Sequence, residues 1–303
     1  MINLRNIAEL NSLSFFRRWL TSKDASRESQ FLRRISSSSP YSVLTSRGAL
    51  SQQNHSGVFF ILGSGASVED LSSTNFAEIR DGISVGINAW VLHDFVPNFY
   101  AYEPVENSST DHFLTLSYLN RPDILDARPK LLILRPRTPF EWRQLEQVPA
   151  SLDNQIRIYG RVSPFTRNLA NLPLDLSSTL SLLAQDRFDS ILIDSGASIV
   201  RMAHLGLKLG FKRIVFVGVD LNNVEYFWQR NSSHLVRNGI ASFDSGQRGT
   251  VHETMSGRSR PFPILEMIAG LAQVAWRDFS CKFEVASRAS ALARDLSIYD
   301  WRR

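Results

Sequence analysis

The chain has 303 residues, 43% of them hydrophobic and 21% charged, a balance that is typical of a globular protein with a full core. A single cysteine, Cys281, excludes an internal disulfide and fits a reducing compartment. The net charge is +5, and residues 1–56 hold the whole excess, with eight Lys and Arg against three acids. The rest of the chain is near neutral, which argues against a nucleic-acid partner.

The N-terminal region is basic and carries no targeting signal. No apolar run reaches the ~20 residues of a membrane-spanning helix, and no signal-peptide core is present, so we expect a cytoplasmic protein. Aromatic and basic residues mix between Phe15 and Lys23, which predicts either a helix on an anionic membrane surface or a flexible tail. The serine run Ser36–Ser39 is typical of a linker. We therefore predict a separate region over residues 1–56 and one domain over residues 57–303.

From residue 57 onward, predicted strands and helices alternate. Five apolar residues, Val58–Leu62, predict a buried strand ending at a glycine-rich turn. The amphipathic helix predicted at Ile199–Gly210 has Arg201, His204 and Lys208 on its polar face and Gly210 as its cap. Further strands are predicted at Ile83–Ile87, Asn98–Tyr102, Leu131–Leu134, Ile214–Val217 and Cys281–Val285. Further helices are predicted at Val68–Ile79, Ser109–Leu119, Ser177–Phe188 and Pro263–Trp276, with a short one at the C-terminus.

This alternation predicts an α/β, Rossmann-like fold, in which a parallel sheet is flanked by helices. Ligands of such sheets bind beyond the carboxyl ends of the strands. The candidate residues at those ends are Gly63, Ser64, Gly65, Asn88, Glu103, Asp220 and Asn222. Residues 221–261 interrupt the pattern with a polar, Gly- and Ser-rich segment, which is typical of a lid inserted after a late strand or of a disordered loop.

The stretch Gly57–Leu71 is suited to bind a phosphate, because small residues let the backbone approach a ligand and a following helix offers free amides. Val68 stands at the third glycine position of a dinucleotide fingerprint, and Asn88 replaces the acid expected after the second strand. No Gly-Lys-Ser/Thr follows the loop, and the chain contains no Asp-x-Asp. The sequence thus predicts a nucleotide site without metal or resident cofactor.

Several segments together resemble the bacterial sialyltransferases of glycosyltransferase family 42. They are Leu62–Val68, Gly86–Asn88, Ser195–Gly196, Phe211–Asp220 and Val251–His252. The resemblance implies a GT-A-variant fold and an inverting, metal-independent transfer of an acidic sugar, such as sialic acid or Kdo. The sugar would pass from its CMP-activated donor to a glycan hydroxyl of a bacterial lipopolysaccharide or capsule.

The resemblance also implies residue roles. The implied nucleotide-binding set is Gly63, Ser64, Gly65, Ser67, Asn88, Ser195, Gly196, Asp220 and Asn222. Tyr226 would steady the leaving phosphate in place of a metal, with Asn222 at a second clamping position. His252 takes the place of the catalytic base, a role that suits an imidazole because its ordinary pKa of ~6.5 lies near working pH.

Two positions depart from the family pattern and bear on the acceptor. Leu192 stands where the family carries an arginine, and Glu103 stands where it carries an asparagine. Arg258 and Arg260 are candidates for replacement cationic contacts. The same site residues also fit plain structural roles, since Asn88 and Asp220 could shape turns and Tyr226 could pack within the lid.

Other functions stay open at this point. Similar glycine loops occur in metal-dependent pterin pyrophosphokinases and in Maf-type flagellin glycosylation factors, and a non-catalytic nucleotide-binding module is a third alternative. The expected partners are a CMP-sugar donor and a glycan or glycolipid acceptor. Peripheral membrane contact through residues 1–56 and homo-oligomerisation are open as well.

Overall fold

The computed structural model describes residues 4–39, 41–45, 57–104, 117–164, 166, 168–222, 225–240, 255 and 262–301, and of residues 4–18, 117 and 118 the backbone alone. These residues form one parallel sheet of ten strands. The strands are β1 (Ser42–Val43), β2 (Val58–Leu62), β3 (Ile83–Ile87), β4 (Phe99–Tyr102), β5 (Lys130–Leu134), β6 (Ile156–Val162), β7 (Ile191–Ile193), β8 (Arg213–Val217), β9 (Lys282–Val285) and β10 (Ser297–Ile298). Their order is β1-β6-β5-β4-β3-β2-β8-β9-β10, with β7 also paired to β6.

Helices cover the sheet, and the predicted α/β, Rossmann-like fold is confirmed. The helices are α1 (Leu4–Ser38), α2 (Ser73–Asp81), α3 (Pro122–Ala127), α4 (Pro139–Gln144), α5 (Leu172–Leu183), α6 (Ser198–Lys208), α7 (Phe227–Arg230), α8 (Ser233–Arg237) and α9 (Ile264–Phe279). Neighbouring side chains of β2 show that both faces are packed. A Cβ on Gly206 of α6 would lie 2.9 Å from Phe59, whereas Phe60 stacks on Trp301 at 6.1 Å.

Strand β2 lies at the centre, and all five of its residues are buried. The chain runs outward from β2 through β3, β4, β5 and β6, and then returns to β8 on the other side of β2. Leu62 is therefore in register with Gly86 of β3 and with Val217 of β8. The strand order reverses between β2 and β8, and ligands of open parallel sheets bind at such a switch point.

Most predicted elements are confirmed, but the helix predicted at Val68–Ile79 begins later than predicted. The chain forms a short 3₁₀ turn over Ala66–Asp70, is extended at Leu71, and begins α2 only after Ser72. The Ser72 hydroxyl accepts the Asn75 amide, and the Asn75 side chain accepts the Ser72 amide. The helix predicted at Ser109–Leu119 lies mainly outside the described residues. Cys281 is buried, and burial raises the pKa of its thiol to about 12.

The N-terminal segment is more closely packed than a tail and a linker would be. Helix α1 continues through Ser38, and β1 then pairs with β6 at the sheet edge. Ala25, Leu32 and Ile35 of α1 belong to the main core. Among the described residues, no helix is long and apolar enough to cross a membrane.

Candidate functional site

Two loops meet at the switch point, and glycines allow them to touch. The amides of Gly63 and Gly65 donate to the carbonyls of Val217 and Gly218, both at 2.7 Å. A Cβ on Gly63 would lie 2.6 Å from the Gly218 oxygen, and one on Gly65 would lie 2.5 Å from an Asp220 carboxylate oxygen. Gly218 has a φ of +64°, in the left-handed region that favours glycine. The glycines are therefore needed for packing of the β2 loop on the β8 loop.

The carboxylate of Asp220 anchors the glycine loop. One oxygen accepts the Ser67 amide at 2.9 Å, and the other accepts the Ser67 hydroxyl at 2.5 Å. Asp220 is only 7% exposed, so both bonds are shielded from water. The structure thus places Asp220 and Ser67 together, as expected, in an arrangement that fixes the loop.

Backbone amides of the loop donate within the protein. The Ala66 amide donates to the Glu225 carbonyl at 3.0 Å, and the Val68 amide donates to the Gly65 carbonyl at 3.2 Å. With the bonds of Gly65 and Ser67, four successive amides have protein acceptors. Ser64 and Ser67 are buried. A phosphate at this loop would therefore have to draw its donors from side chains as well.

Tyr226 lies directly on the glycine loop, although the two are far apart in sequence. Gly65 and Tyr226 form an isolated antiparallel bridge, and the Phe227 amide donates to the Ser64 carbonyl at 3.0 Å. The Tyr226 ring stacks on Trp228 with centroids 4.6 Å apart and planes 3° from parallel. The resemblance implied that Tyr226 acts at the loop, and the structure brings the tyrosine and the loop together.

The two asparagines of the predicted set occupy turns. Asn88 follows β3 with a φ of +54° and is exposed, at the mouth of a cavity lined by Tyr100, Tyr102 and apolar residues. The Tyr100 hydroxyl is buried in this cavity with no partner among the described residues. The Asn222 side-chain amide donates to the Ala289 carbonyl at 2.8 Å. Asn222 would have to release this bond to clamp a phosphate.

Helix α6 begins next to a network of ion pairs that was not predicted from the sequence. The prediction that Arg201 and His204 lie on a polar face is wrong, because both side chains are fully buried. Arg201 donates to Asp194 at 2.5 Å, to Ser198 at 3.0 Å and to Glu103. Burial alone would lower the pKa of Arg201, but Tyr159, Asp194 and Glu103 together raise it above its usual range. Arg201 therefore stays positively charged, and its charge is balanced by the carboxylates of Asp194 and Glu103.

Arg161 completes this network at the carboxyl ends of β4, β6 and β7. It donates to Glu103 at 2.9 Å and to Asp194 at 3.0 Å, so two arginines face two carboxylates. Ser195 and Gly196 follow Asp194 directly. Gly196 has a φ of +79°, and its amide donates to the Asp194 carboxylate at 2.9 Å. The buried Ser195 hydroxyl has no partner among the described residues. Ser195 therefore presents an unpaired buried hydroxyl beside the ionic network.

His204 lies on α6 itself, and its side chain is buried. Its Nδ1 atom accepts the Ile193 amide at 2.8 Å, and burial lowers its pKa well below the usual value. His252, Arg258 and Arg260 lie outside the described residues, so the predicted base has no observed position. Of the predicted lid, the described part contains α7 and α8.

Fold and loop together define an α/β protein of Rossmann-like architecture. No known protein family and no curated protein matches the chain. The sialyltransferase CST-II in complex with a trisaccharide acceptor and CMP is similar at 12% identity and a TM-score of 0.42, over 80% of this chain and 86% of that one. A Maf glycosyltransferase from Magnetospirillum magneticum AMB-1 is similar at 16% identity and a TM-score of 0.46, over 83% of this chain and 34% of that one.

Proposed function

We propose that the chain is a glycosyltransferase that moves an acidic sugar, of the sialic acid or Kdo kind, from a CMP-activated donor to a glycan hydroxyl. The observation that carries this proposal is the position of Tyr226, which bridges Gly65 at the switch point of the sheet. That pairing brings the backbone of Tyr226 to the switch point, and ligands of parallel sheets bind at such points. The sequence resemblance supports CMP as the nucleotide.

The reaction needs a group that stabilises charge on the departing phosphate. The Tyr226 hydroxyl supplies a hydrogen-bond donor, and stacking on Trp228 fixes the ring in advance. One such preorganised donor is worth about 10²–10³ in rate when charge develops in the transition state. His252 would take the proton of the attacking hydroxyl, and attack opposite to the leaving phosphate inverts the anomeric configuration.

A metal-independent mechanism agrees with the hydrogen bonds and ion pairs that the nearby carboxylates make within the protein. Both oxygens of Asp220 accept bonds from Ser67, and Asp70 pairs with Arg230 at 2.9 Å. Glu69 is engaged by Asn231 and His234. Each of these three acids therefore has a protein partner, which favours side-chain donors over a metal at the phosphate.

We also propose that the N-terminal helix contacts a membrane that carries a glycolipid acceptor. Trp19 is 43% exposed, and the Lys23 ammonium lies 4.0 Å above its ring. An exposed aromatic beside a cation suits an anionic membrane surface. Vesicle co-sedimentation with and without anionic lipid tests this contact, and Trp19→Ala should weaken it.

A nucleotide panel tests the proposed donor class. At 100 times its dissociation constant, CMP should stabilise the protein by about 2.7 kcal/mol, visible as a rise in melting temperature that EDTA does not remove. UMP, GDP, ATP and NAD are the comparison ligands. Stabilisation by ATP that requires magnesium, with none by CMP, would instead favour a pyrophosphokinase.

The variant Tyr226→Phe tests the role of the phenol. We expect kcat with a CMP-sugar to fall about 10²-fold, because one donor to the leaving phosphate is lost. Tyr41→Phe is the matched control, since Tyr41 also stacks on a tryptophan, Trp142, but at the sheet edge. If Tyr226→Phe turns over as fast as Tyr41→Phe, the phosphate is stabilised by another group.

A further inference from the structure

Glu69 lies just after the glycines of the loop. Both of its carboxylate oxygens contact residues of the segment 225–240, which carries Tyr226. One oxygen accepts the Asn231 side-chain amide at 2.8 Å, and the other lies 2.9 Å from His234 Nε2. The side chain of Glu69 is 17% exposed and that of His234 is 6% exposed. The neighbouring acid differs, because Asp70 and its partner Arg230 are both about half exposed. Of these two acids, Glu69 therefore makes the shielded link to α8.

Aromatic rings enclose His234. Its ring lies 5.0 Å from the stacked ring of His93 and 4.9 Å from Phe227, which it meets edge-on. His93 in turn stacks on Trp90 at 4.5 Å. This burial keeps His234 away from any substrate hydroxyl, so the pair of Glu69 and His234 is not a catalytic dyad despite its geometry.

Glu69, His93 and His234 offer three ligand atoms within 4.8 Å of one another, which raises the question of a metal site. The Phe95 amide donates to His93 Nδ1 at 2.9 Å. A neutral imidazole has one bare nitrogen, so this bond puts the proton on Nε2 and leaves no lone pair for a metal. Burial lowers the pKa of His93 to about 3, which keeps the ring neutral. Two ligands remain, fewer than the three or four of a zinc site.

We propose that Glu69 is a positioning residue that clasps α7 and α8 onto the glycine loop and thereby holds Tyr226 against Gly65. The inference rests on the proposed function for its catalytic consequence, since Glu69 touches no reacting atom and acts through Tyr226. Its structural consequence stands apart. The bond from the Phe227 amide to Ser64 and that from the Ala66 amide to Glu225 persist only while the segment is docked.

Hydrogen exchange on Glu69→Ala tests the clasp, with Asp70→Ala as the matched control on the adjacent acid. We expect exchange of the Phe227 and Ala66 amides to quicken at least tenfold in Glu69→Ala and less than twofold in Asp70→Ala. With a CMP-sugar, Glu69→Ala should lose about tenfold in kcat with KM nearly unchanged, because the phosphate clamp acts in the transition state. Glu69→Gln, which keeps the shape and one acceptor, should fall between.

The exchange and activity results test the role of Glu69 and the glycosyltransferase function separately. Faster exchange in Glu69→Ala, without CMP-sugar turnover by the unmodified protein, would keep the clasp and reject the glycosyltransferase. Unchanged exchange in Glu69→Ala would reject the clasp whatever the activity. If Glu69→Ala does not fold, as judged by circular dichroism, the exchange comparison is made on Glu69→Gln. One equivalent of tightly bound zinc, lost in that variant, would replace the clasp by a metal site.

Discussion

The variant Asp220→Ala removes the anchor of the glycine loop, and its effect can be worked out from two bonds. The carboxylate accepts the Ser67 amide at 2.9 Å and the Ser67 hydroxyl at 2.5 Å, in a setting only 7% exposed. Hydrogen bonds to a charged group contribute about 1.5–3 kcal/mol each. Because both bonds share one serine they are not additive, so we expect the free energy of unfolding to fall by about 3 kcal/mol.

Ser67→Ala is the partner variant, because it removes the hydroxyl bond and keeps the amide bond. It should lower the free energy of unfolding by about 1.5 kcal/mol, and the double variant should lie within about 0.5 kcal/mol of Asp220→Ala alone. Urea unfolding followed by tryptophan fluorescence gives these values, and calorimetric titration gives CMP affinity for the same proteins.

If Asp220→Ala unfolds like the unmodified protein, Asp220 does not anchor the loop. Loss of CMP affinity at unchanged stability would make Asp220 a direct ligand residue, as the family resemblance implies, rather than the anchor of the loop. Loss of both, with the double variant matching Asp220→Ala, supports the anchor.

Three further predictions concern the buried charges and the N-terminus. Arg201→Met leaves two carboxylates beside one arginine, so unfolding free energy should drop by about 3–5 kcal/mol, whereas Arg277→Met, which breaks an exposed pair, should change nothing measurable in the same urea titration. His93 is neutral in the fold down to pH about 3 but takes up a proton near pH 6.5 when unfolded, so stability falls as pH drops through this window. Compared with His93→Asn, the unmodified protein should lose about 3 kcal/mol more between pH 6.5 and 4. Deleting residues 1–45 should lower the melting temperature and weaken folding, because α1 and β1 cover β6; unchanged melting would restore the view of this region as a tail.

The central apolar strand β2 could be predicted from the sequence, and the mixed strand β6 could not. Val58–Leu62 is buried on both faces, so its composition alone identifies it. Strand β6 carries Arg157 and Arg161 between apolar residues, and Arg161 enters the sheet only because Glu103 and Asp194 receive its charge. Local periodicity holds no information on such partners. The same cause led Arg201 to be assigned to a polar face.

The candidate site divides in the same way. The glycine loop and Asp220 could be located because they follow predicted strands, whereas Ser195 was assigned through the resemblance alone. Tyr226 was placed near the loop through the resemblance, and the structure supplies its bridge to Gly65. The link from Glu69 to His234 joins positions 165 residues apart, and no spacing rule predicts such a pair.

Product analysis with a CMP-sugar decides whether this protein is a glycosyltransferase of the proposed kind. The protein is incubated with CMP-sialic acid or CMP-Kdo and a glycan acceptor in EDTA, and nuclear magnetic resonance follows CMP release and the configuration of the new bond. We expect CMP release in step with formation of a glycoside of inverted configuration, and slower release by Tyr226→Phe. No release from either donor, with or without added metal, would contradict it.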